Sequence, residues 1–498
     1  MAAPWDKAPP EDQWFVLVTG ANSGVGLGIG QRLIDDFLAQ RSASSHLILI
    51  ITTRSSRKSQ ETVYSLRKHA KRTVESSTVL RSRIGPSYRP ADALRRIHIL
   101  SIQLDLCTLP SVYKAADQLI NGALSSPSDD PAFEPLDSVR IPRLDSAIFN
   151  AGMGGWTGLN WLLVFKCILT TGLIQSFTYP TFKDSTGGLL VDPLDGKPTT
   201  LAKAKSSDRL MGEVFCANVF GHYIFGHELL PLLGRTADSK LPPGRIIWES
   251  SVEAFSWDNH SLDDFQGLRT IAAYESTKRL TDVLALTADL PGVRPYSAPY
   301  FRCSDSDSGN KNKNKDKNEK IEIAVPPRHY LAHPGVVVTT MFPLNVFLFY
   351  AYKLAMYIAR WLGSPWHTVR AYTGAAAPVW LALQPQPFLD AVRAERAKWG
   401  SGASRWAGAS LVKKSEVEGW GWEGAVVAEG ALERDDGEEE EEEETGLMRK
   451  RVGRKSGAAD TTRERLEEFE ALGAQCWREM ERLRGDWEER LGAHREGS

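Results

Sequence analysis

The sequence predicts an α/β chain: a Rossmann-like doubly wound parallel sheet in a single domain, extended by an apolar membrane-contact segment, a disordered charged tether and a C-terminal helix. Three observations lead there. Apolar strand-like runs alternate with helical patterns from the start of the chain. A glycine-rich turn, Thr19-Gly-Ala-Asn-Ser-Gly24-Val-Gly26, joins the first such run to the first helix. Far downstream, beyond a serine pair that closes another apolar run, stands Tyr274-Glu-Ser-Thr-Lys278.

The elements follow in order. Residues 14 to 18 form a short apolar run of buried-strand type, residues 29 to 38 have helical spacing, and residues 46 to 51 form the next strand. Further strands are expected at 97 to 104, 144 to 149, 245 to 248 and 321 to 325, with a second apolar run at 330 to 338. The frame is interrupted at 73 to 92 and 121 to 142, both rich in serine and proline. Residues 304 to 319, almost all Ser, Asp, Asn and Lys, bury too little apolar area to offset chain entropy and read as a disordered loop. The main α/β domain is expected over 14 to 400, after a tail at 1 to 13. An extension at 401 to 432, an acidic-then-basic tether at 433 to 458 and an amphipathic helix at 459 to 498 follow.

Composition sets bounds. A chain of 498 residues, 42% hydrophobic, can bury a large core, and a net charge of −2 gives no field that would attract nucleic acid. Five cysteines without CxxC spacing point to a reducing compartment and to neither a metal site nor a disulfide framework. The polar, proline-rich start lacks the apolar core of a secretion signal.

Each motif has a chemical reason. Gly20 permits the tight turn, and Gly24 and Gly26 let backbone approach a pyrophosphate at a helix N-terminus; Asn22, Ser23 and Val25 complete this cofactor cradle. After the second strand the usual ribose-binding acid is missing, and Arg54, helped by Arg57 or Lys58, suits the 2′-phosphate of NADP(H). Asp105 follows the third strand, where it can accept a bond from the adenine amine. Asn150 and Ala151 end the fourth, leaving room for the cofactor. Ser250 and Ser251 both end the strand at 245, facing the ligand crevice of an open sheet. Tyr274 and Lys278, one helical turn apart, share a face, so the ammonium lowers the phenol's pKa and Tyr274 donates a proton to a forming alkoxide. Asn218, on the preceding helix, suits a water relay toward Lys278.

This ordered set resembles the short-chain dehydrogenase/reductase family over residues 14 to 290, resuming at His333-Pro-Gly-Val-Val-Val-Thr339. The resemblance implies Ser251, Tyr274 and Lys278 as catalytic residues, with Asn218 as relay, and Pro334, Gly335, Val336 and Thr339 as cofactor neighbours together with Tyr274 and Lys278. The segments Ile246-Ile-Trp-Glu-Ser-Ser251, Asn218-Val-Phe-Gly-His222 and Leu262-Asp-Asp-Phe-Gln266 are further similar to the fungal 3-keto-steroid reductases of sterol C4-demethylation. That likeness implies NADPH-dependent reduction of a sterol C3 ketone to the 3β-alcohol. It also implies association with the other C4-demethylation enzymes and a place on the cytosolic face of the endoplasmic reticulum or on lipid droplets. Another lipid carbonyl, such as a retinoid, or a scaffolding role are the alternatives. Residues 341 to 363 are apolar and aromatic, broken by Lys353 and Arg360, which favours a monotopic membrane contact over a span or a buried helix. A second apolar stretch at 159 to 174 is expected on the same face.

Overall fold

The protein is described by a computed structural model covering residues 3–205, 209–302, 324–339, 345–426 and 453–496. The loop expected at 304 to 319 and the acidic run at 433 to 444 lie outside the described residues.

Eight strands form the main sheet: β1 Gln13–Val18, β2 His46–Thr53, β3 Ile97–Gln103, β4 Ser146–Phe149, β5 Arg245–Glu249, β6 Arg328–His333, β7 Lys398–Ala403 and β8 Ser410–Ser415. Their spatial order is 3-2-1-4-5-6-7-8, all parallel except the last pair. The order reverses between β1 and β4, which opens a ligand crevice at the carboxyl ends of those strands. The central strands are continuous apolar runs because helices cover both faces. On one face lie α1 (Gly24–Gln40) and α2 (Ser56–Ser76), burying Ile29, Leu33, Phe37, Leu66 and Val74. On the other lies α3 (Leu109–Ile120).

Between β4 and β5 the chain builds a roof. Trp156–Leu159 pairs antiparallel with Lys183–Ser185, and the helix α4 (Trp161–Thr171) lies within this hairpin. Beyond a short helix at Leu173–Thr178, α5 runs through three consecutive pieces: Glu213–Phe215, a π-helical turn Cys216–Phe220, and Gly221–Glu228. It packs on the same face as α3, beside α6 (Ala273–Thr287). After β6 come α7 (Val346–Trp361) and α8 (Ala376–Leu383), the latter closing the α1 face. The last helix, α9 (Arg463–Glu496), lays Phe469, Cys476, Trp477, Met480, Leu483 and Trp487 on α5 and α6, so its apolar stripe is part of the core. At ~2 kcal/mol for each fully buried large apolar side chain, this seam contributes substantially to stability.

Four expectations change. The sixth strand is Arg328–His333, overlapping the second apolar run; residues 321 to 323 of the strand expected at 321 to 325 lie outside the described residues, and Val325 makes an isolated antiparallel bridge with Arg235. The domain boundary expected at 400 falls inside β7, because β8 pairs with it from Lys398↔Ser415 to Ala403↔Ser410. The basic end of the tether docks: Arg454 bonds Glu416 at 2.6 Å and Asp460 at 2.7 Å. The stretch at 73 to 92 continues α2 and adds helices Thr78–Ile84 and Pro90–Leu94. Among the described residues no helix is long and apolar enough to cross a membrane.

Candidate active site

The crevice is assembled around Thr19. Its hydroxyl accepts the backbone N–H groups of Asn150 (2.9 Å) and Ala151 (3.0 Å), and the Asn150 side-chain amide donates to the Thr19 carbonyl at 3.0 Å, locking the ends of β1 and β4 together. With both lone pairs engaged, the Thr19 hydroxyl donates to His222 Nε2 at 2.8 Å, and His222 Nδ1–H reaches the Asn218 carbonyl at 3.3 Å. This network assigns the neutral tautomer, in line with burial pushing the imidazole down to about 3.

The glycine turn is sterically obligatory. Gly20 has φ +66°, and a Cβ there would meet Ala151 Cβ at 2.8 Å; a Cβ on Gly26 would meet the Gly20 carbonyl at 2.3 Å. Gly24, at φ +53°, lies against Thr339, whose methyl would stand 3.6 Å from an added Cβ. The loop from Pro334 to Thr339 therefore borders the turn, anchored by Val336 N–H to the Trp366 carbonyl (2.7 Å) and Thr368 to the Pro334 carbonyl (2.9 Å). Gly335, at φ +68°, makes the bend. No side chain caps α1; the Ser23 hydroxyl instead accepts from Asn22 at 3.3 Å. The first N–H groups of α1 thus remain for an anionic ligand, and this cradle fits a dinucleotide pyrophosphate.

Arg54 stands exposed at the end of β2, near enough to Glu213 to oppose the upward push that burial gives that carboxyl. Arg57 is engaged with Glu61 at 2.9 Å, so among the described residues Arg54 and Lys58 are the cations here without an ion-pair partner. Asp105 accepts from Cys107 N–H at 3.0 Å, and its own N–H donates to Ser111 at 3.0 Å, which fixes the turn after β3.

Ser251, Tyr274, Lys278 and Asn218 come together at the mouth of β5. The Ser251 hydroxyl accepts the Glu253 N–H at 3.2 Å and stands close enough to the Tyr274 phenol to hold its pKa down. Lys278 Nζ donates to the Glu249 carbonyl at 2.6 Å and lies 5.8 Å from the Tyr274 ring centre. A Cβ on Gly152 would stand 2.8 Å from Asn218 Oδ1 and 3.9 Å from Lys278 Nζ, so both polar ends converge there. Asn218 sits on the π-turn, a distortion frequent at functional sites. It accepts from Met153 N–H (2.8 Å) and donates to the Met153 carbonyl (3.0 Å) and to Thr277 (3.0 Å). Ser250 faces elsewhere, donating to Asp282 beneath α6. Of the two serines, Ser251 is the one beside the phenol.

Electrostatics differ from the sequence-based expectation at the phenol. Burial pushes Tyr274 above its ordinary value, reinforced by the Glu253 carboxylate and opposed by the Ser251 bond. The group therefore holds its proton at neutral pH, as a proton donor must. Burial lowers Lys278 to about 8, which leaves it charged at pH 7. Glu249 is raised to about 8 by burial, and neither carboxyl oxygen has a hydrogen-bond partner among the described residues.

Sequence reasoning found the apolar stretch of the roof at 159 to 174 but missed the lysine that ties the roof down. Lys183, on the hairpin, pairs with both Glu253 and Glu275, which follow Ser251 and Tyr274 closely in the chain. Its ammonium lies 4.4 Å from the Trp156 ring centre and 5.3 Å from that of Tyr274, and the two rings meet edge-on at 4.8 Å. No motif marks Lys183, because its partners are distant in sequence. Asp282 was within reach, since it continues the Tyr274–Lys278 face by one more turn.

Chemically, this set delivers a proton to a carbonyl oxygen as its carbon is reduced, and a bound nicotinamide dinucleotide would supply the hydride. The fold and this site define a nicotinamide-dependent oxidoreductase of the short-chain type. No family model matches the chain. It is 47% identical to the 3-keto-steroid reductase ERG27 of Gibberella zeae over 98% of this chain and 97% of that protein. It is 39% identical to the enzyme of the same name from Aspergillus fumigatus over 96% and 94%. The chain belongs to the 3-keto-steroid reductase family. Among solved structures, a 3-oxoacyl-[acyl-carrier protein] reductase from Brucella melitensis in complex with NAD shares 15% identity at a TM-score of 0.37, covering 74% of this chain and 89% of that one, too distant to inform the site.

Proposed function

We propose that this protein reduces the C3 ketone of a 4-demethylated sterol intermediate to the 3β-alcohol, using NADPH, in sterol biosynthesis of the ergosterol type. The observation that carries the reading is the Tyr274 phenol, kept protonated by burial, with the Ser251 hydroxyl beside it and the Lys278 ammonium alongside. Tyr274 gives its proton to the carbonyl oxygen. Ser251 donates a hydrogen bond to the charge developing there, and the ammonium stabilises the phenolate left behind. Asn218, beside Lys278, orients a water that returns the proton. Arg54 at the end of β2, with no acid in the ribose position, supports a preference for NADPH over NADH.

The roof supports a lipid-facing role. On α4, Leu162 and Leu169 are 85% exposed with Phe165 beside them, and on α7 Phe347, Tyr350, Leu354 and Ile358 form one exposed stripe. Amphipathic helices of this kind insert into the interfacial layer rather than span it. This reading puts the protein on the endoplasmic reticulum membrane or lipid droplets, beside the other C4-demethylation enzymes, where a sterol enters without crossing water. A scaffolding role through α9 is disfavoured, because its apolar stripe is occupied within this chain.

The test is a substrate panel. The full chain, given NADPH, is expected to convert a 4-demethylated 3-keto sterol to the 3β-alcohol and to leave retinaldehyde essentially untouched. Equal or faster retinaldehyde reduction contradicts the substrate assignment.

A further inference from the structure

Beneath the Ser251–Tyr274–Lys278 set lies a second polar layer that the chemistry above does not use. Asp282 stands one helical turn beyond Lys278 and two beyond Tyr274, so α6 presents all three along one side. Asp282 and Lys398 are almost wholly enclosed, with side chains 0% and 1% exposed, and meet at 2.6 Å. Lys398 comes from β7, two strands away from β5. The same ammonium donates to the Ser251 carbonyl at 2.7 Å. The other Asp282 oxygen accepts the Ser250 hydroxyl, and Ser250 N–H is held by the Ala332 carbonyl at 2.7 Å. The result is a closed ring: Ser251 carbonyl, Lys398, Asp282, Ser250 hydroxyl.

Stability is a poor reason for such a pair. Two buried ions lose more hydration than their attraction reliably returns, and apolar residues of like volume often serve as well or better. What the ring does is fix, through the Ser251 carbonyl and the Ser250 hydroxyl, the backbone that carries the Ser251 hydroxyl beside the phenol. We propose that Asp282 and Lys398 are positioning residues for the reduction, holding the Ser250–Ser251 segment so that the Ser251 hydroxyl meets Tyr274 and the carbonyl oxygen. This inference rests on the proposed ketone reduction.

The pair also bears on the charge of Lys278. Asp282 favours the Lys278 ammonium and Lys398 disfavours it; the other charged or titratable groups facing this layer are Glu249 from β5, Arg279 from α6 and His333 from β6. Removing the carboxylate shifts loss of the Lys278 proton to lower pH, and removing Lys398 shifts it to higher pH.

The experiment uses the full chain with NADPH and a 4-demethylated 3-keto sterol, comparing wild type with Asp282→Asn, Lys398→Met and the double variant Asp282→Leu/Lys398→Met. Wild-type turnover tests the function reading separately, since its failure there indicts the substrate and not the ring. The double variant is expected to melt at or above the wild-type temperature, with kcat at least ten-fold lower and KM for the sterol unchanged. Adding Ser251→Ala to it is expected to cost several-fold less than adding Ser251→Ala to wild type. The alkaline limb of kcat is expected to move in opposite directions in the two single variants. A double variant with wild-type kcat, or one that does not fold, overturns the proposal. So does a full Ser251→Ala penalty on the double background, or single variants that shift the limb the same way.

Discussion

Lys278 is tied to the Glu249 carbonyl at 2.6 Å, so its ammonium is a fixed part of the site whose loss has a defined pH signature. Burial lowers it to about 8, below the ordinary lysine value. The proton is bound below that pH and lost above it. The rate of reduction is therefore expected to be level near neutrality and to fall above about pH 8, and a Lys278→Met variant is expected to lack this limb. Stopped-flow NADPH oxidation across pH 6 to 10 measures it. At the cofactor end, Arg54→Ala removes a charge-assisted bond of about 1.5–3 kcal/mol. Titration is expected to show NADPH affinity weakened about ten-fold or more, with NADH unaffected. The glycine turn, Tyr274 and Lys278 were legible because each expresses a local rule of turn geometry or helical spacing. The choice between Ser250 and Ser251 was not, since it depends on where Asp282 stands in the folded chain.

At the scale of elements, the roof hairpin is joined to the floor by one lysine. Lys183 holds Glu253, just beyond Ser251, and Glu275, next to Tyr274; Glu253 is raised to about 7 by burial, with Lys183 opposing. Lys183→Met leaves two enclosed carboxylates facing one another without their cation. Breaking a buried pair in this way costs about 3–5 kcal/mol. The variant is expected to melt several degrees lower, to be nicked by protease within the roof at 156 to 185, and to show a raised KM for the sterol. An unchanged KM and cleavage pattern would leave the hairpin independent of its lysine. This latch could not be read in advance, because three residues distant in sequence meet only when the hairpin folds over α6. Strand β6 was legible only as part of a second apolar run at 330 to 338, since its pairing with β5 from Arg245↔Arg328 to Glu249↔Ala332 exists only in the folded sheet.

Over the whole molecule, several histidines are buried in neutral form. Burial lowers His98, His222, His329 and His367 to about 3 and His260 to about 4. Unfolded, each would titrate near the ordinary histidine value of 6.5. Below that pH the unfolded chain binds protons that the folded chain refuses, so stability rises with pH across the window from about 3 to 6.5 and is lost on acidification. At pH 5.5 each contributes a loss of roughly 1 kcal/mol. Melting curves at pH 7.5 and 5.5 are expected to show a drop of many degrees, and His222→Gln is expected to reduce that drop. The alternation of strands and helices made the sheet legible as a whole. The role of α9 was legible only as an apolar stripe, since its partner surface on α5 and α6 exists only in the folded chain.

The most direct measurement compares wild type with Tyr274→Phe, following NADPH absorbance with a 4-demethylated 3-keto sterol and NADPH binding in parallel. The phenol makes no packing contact that phenylalanine cannot keep, so binding should be preserved while turnover falls roughly 10²- to 10⁴-fold. Turnover within a few-fold of wild type would show that the proton comes from elsewhere, and the account of this site would be wrong.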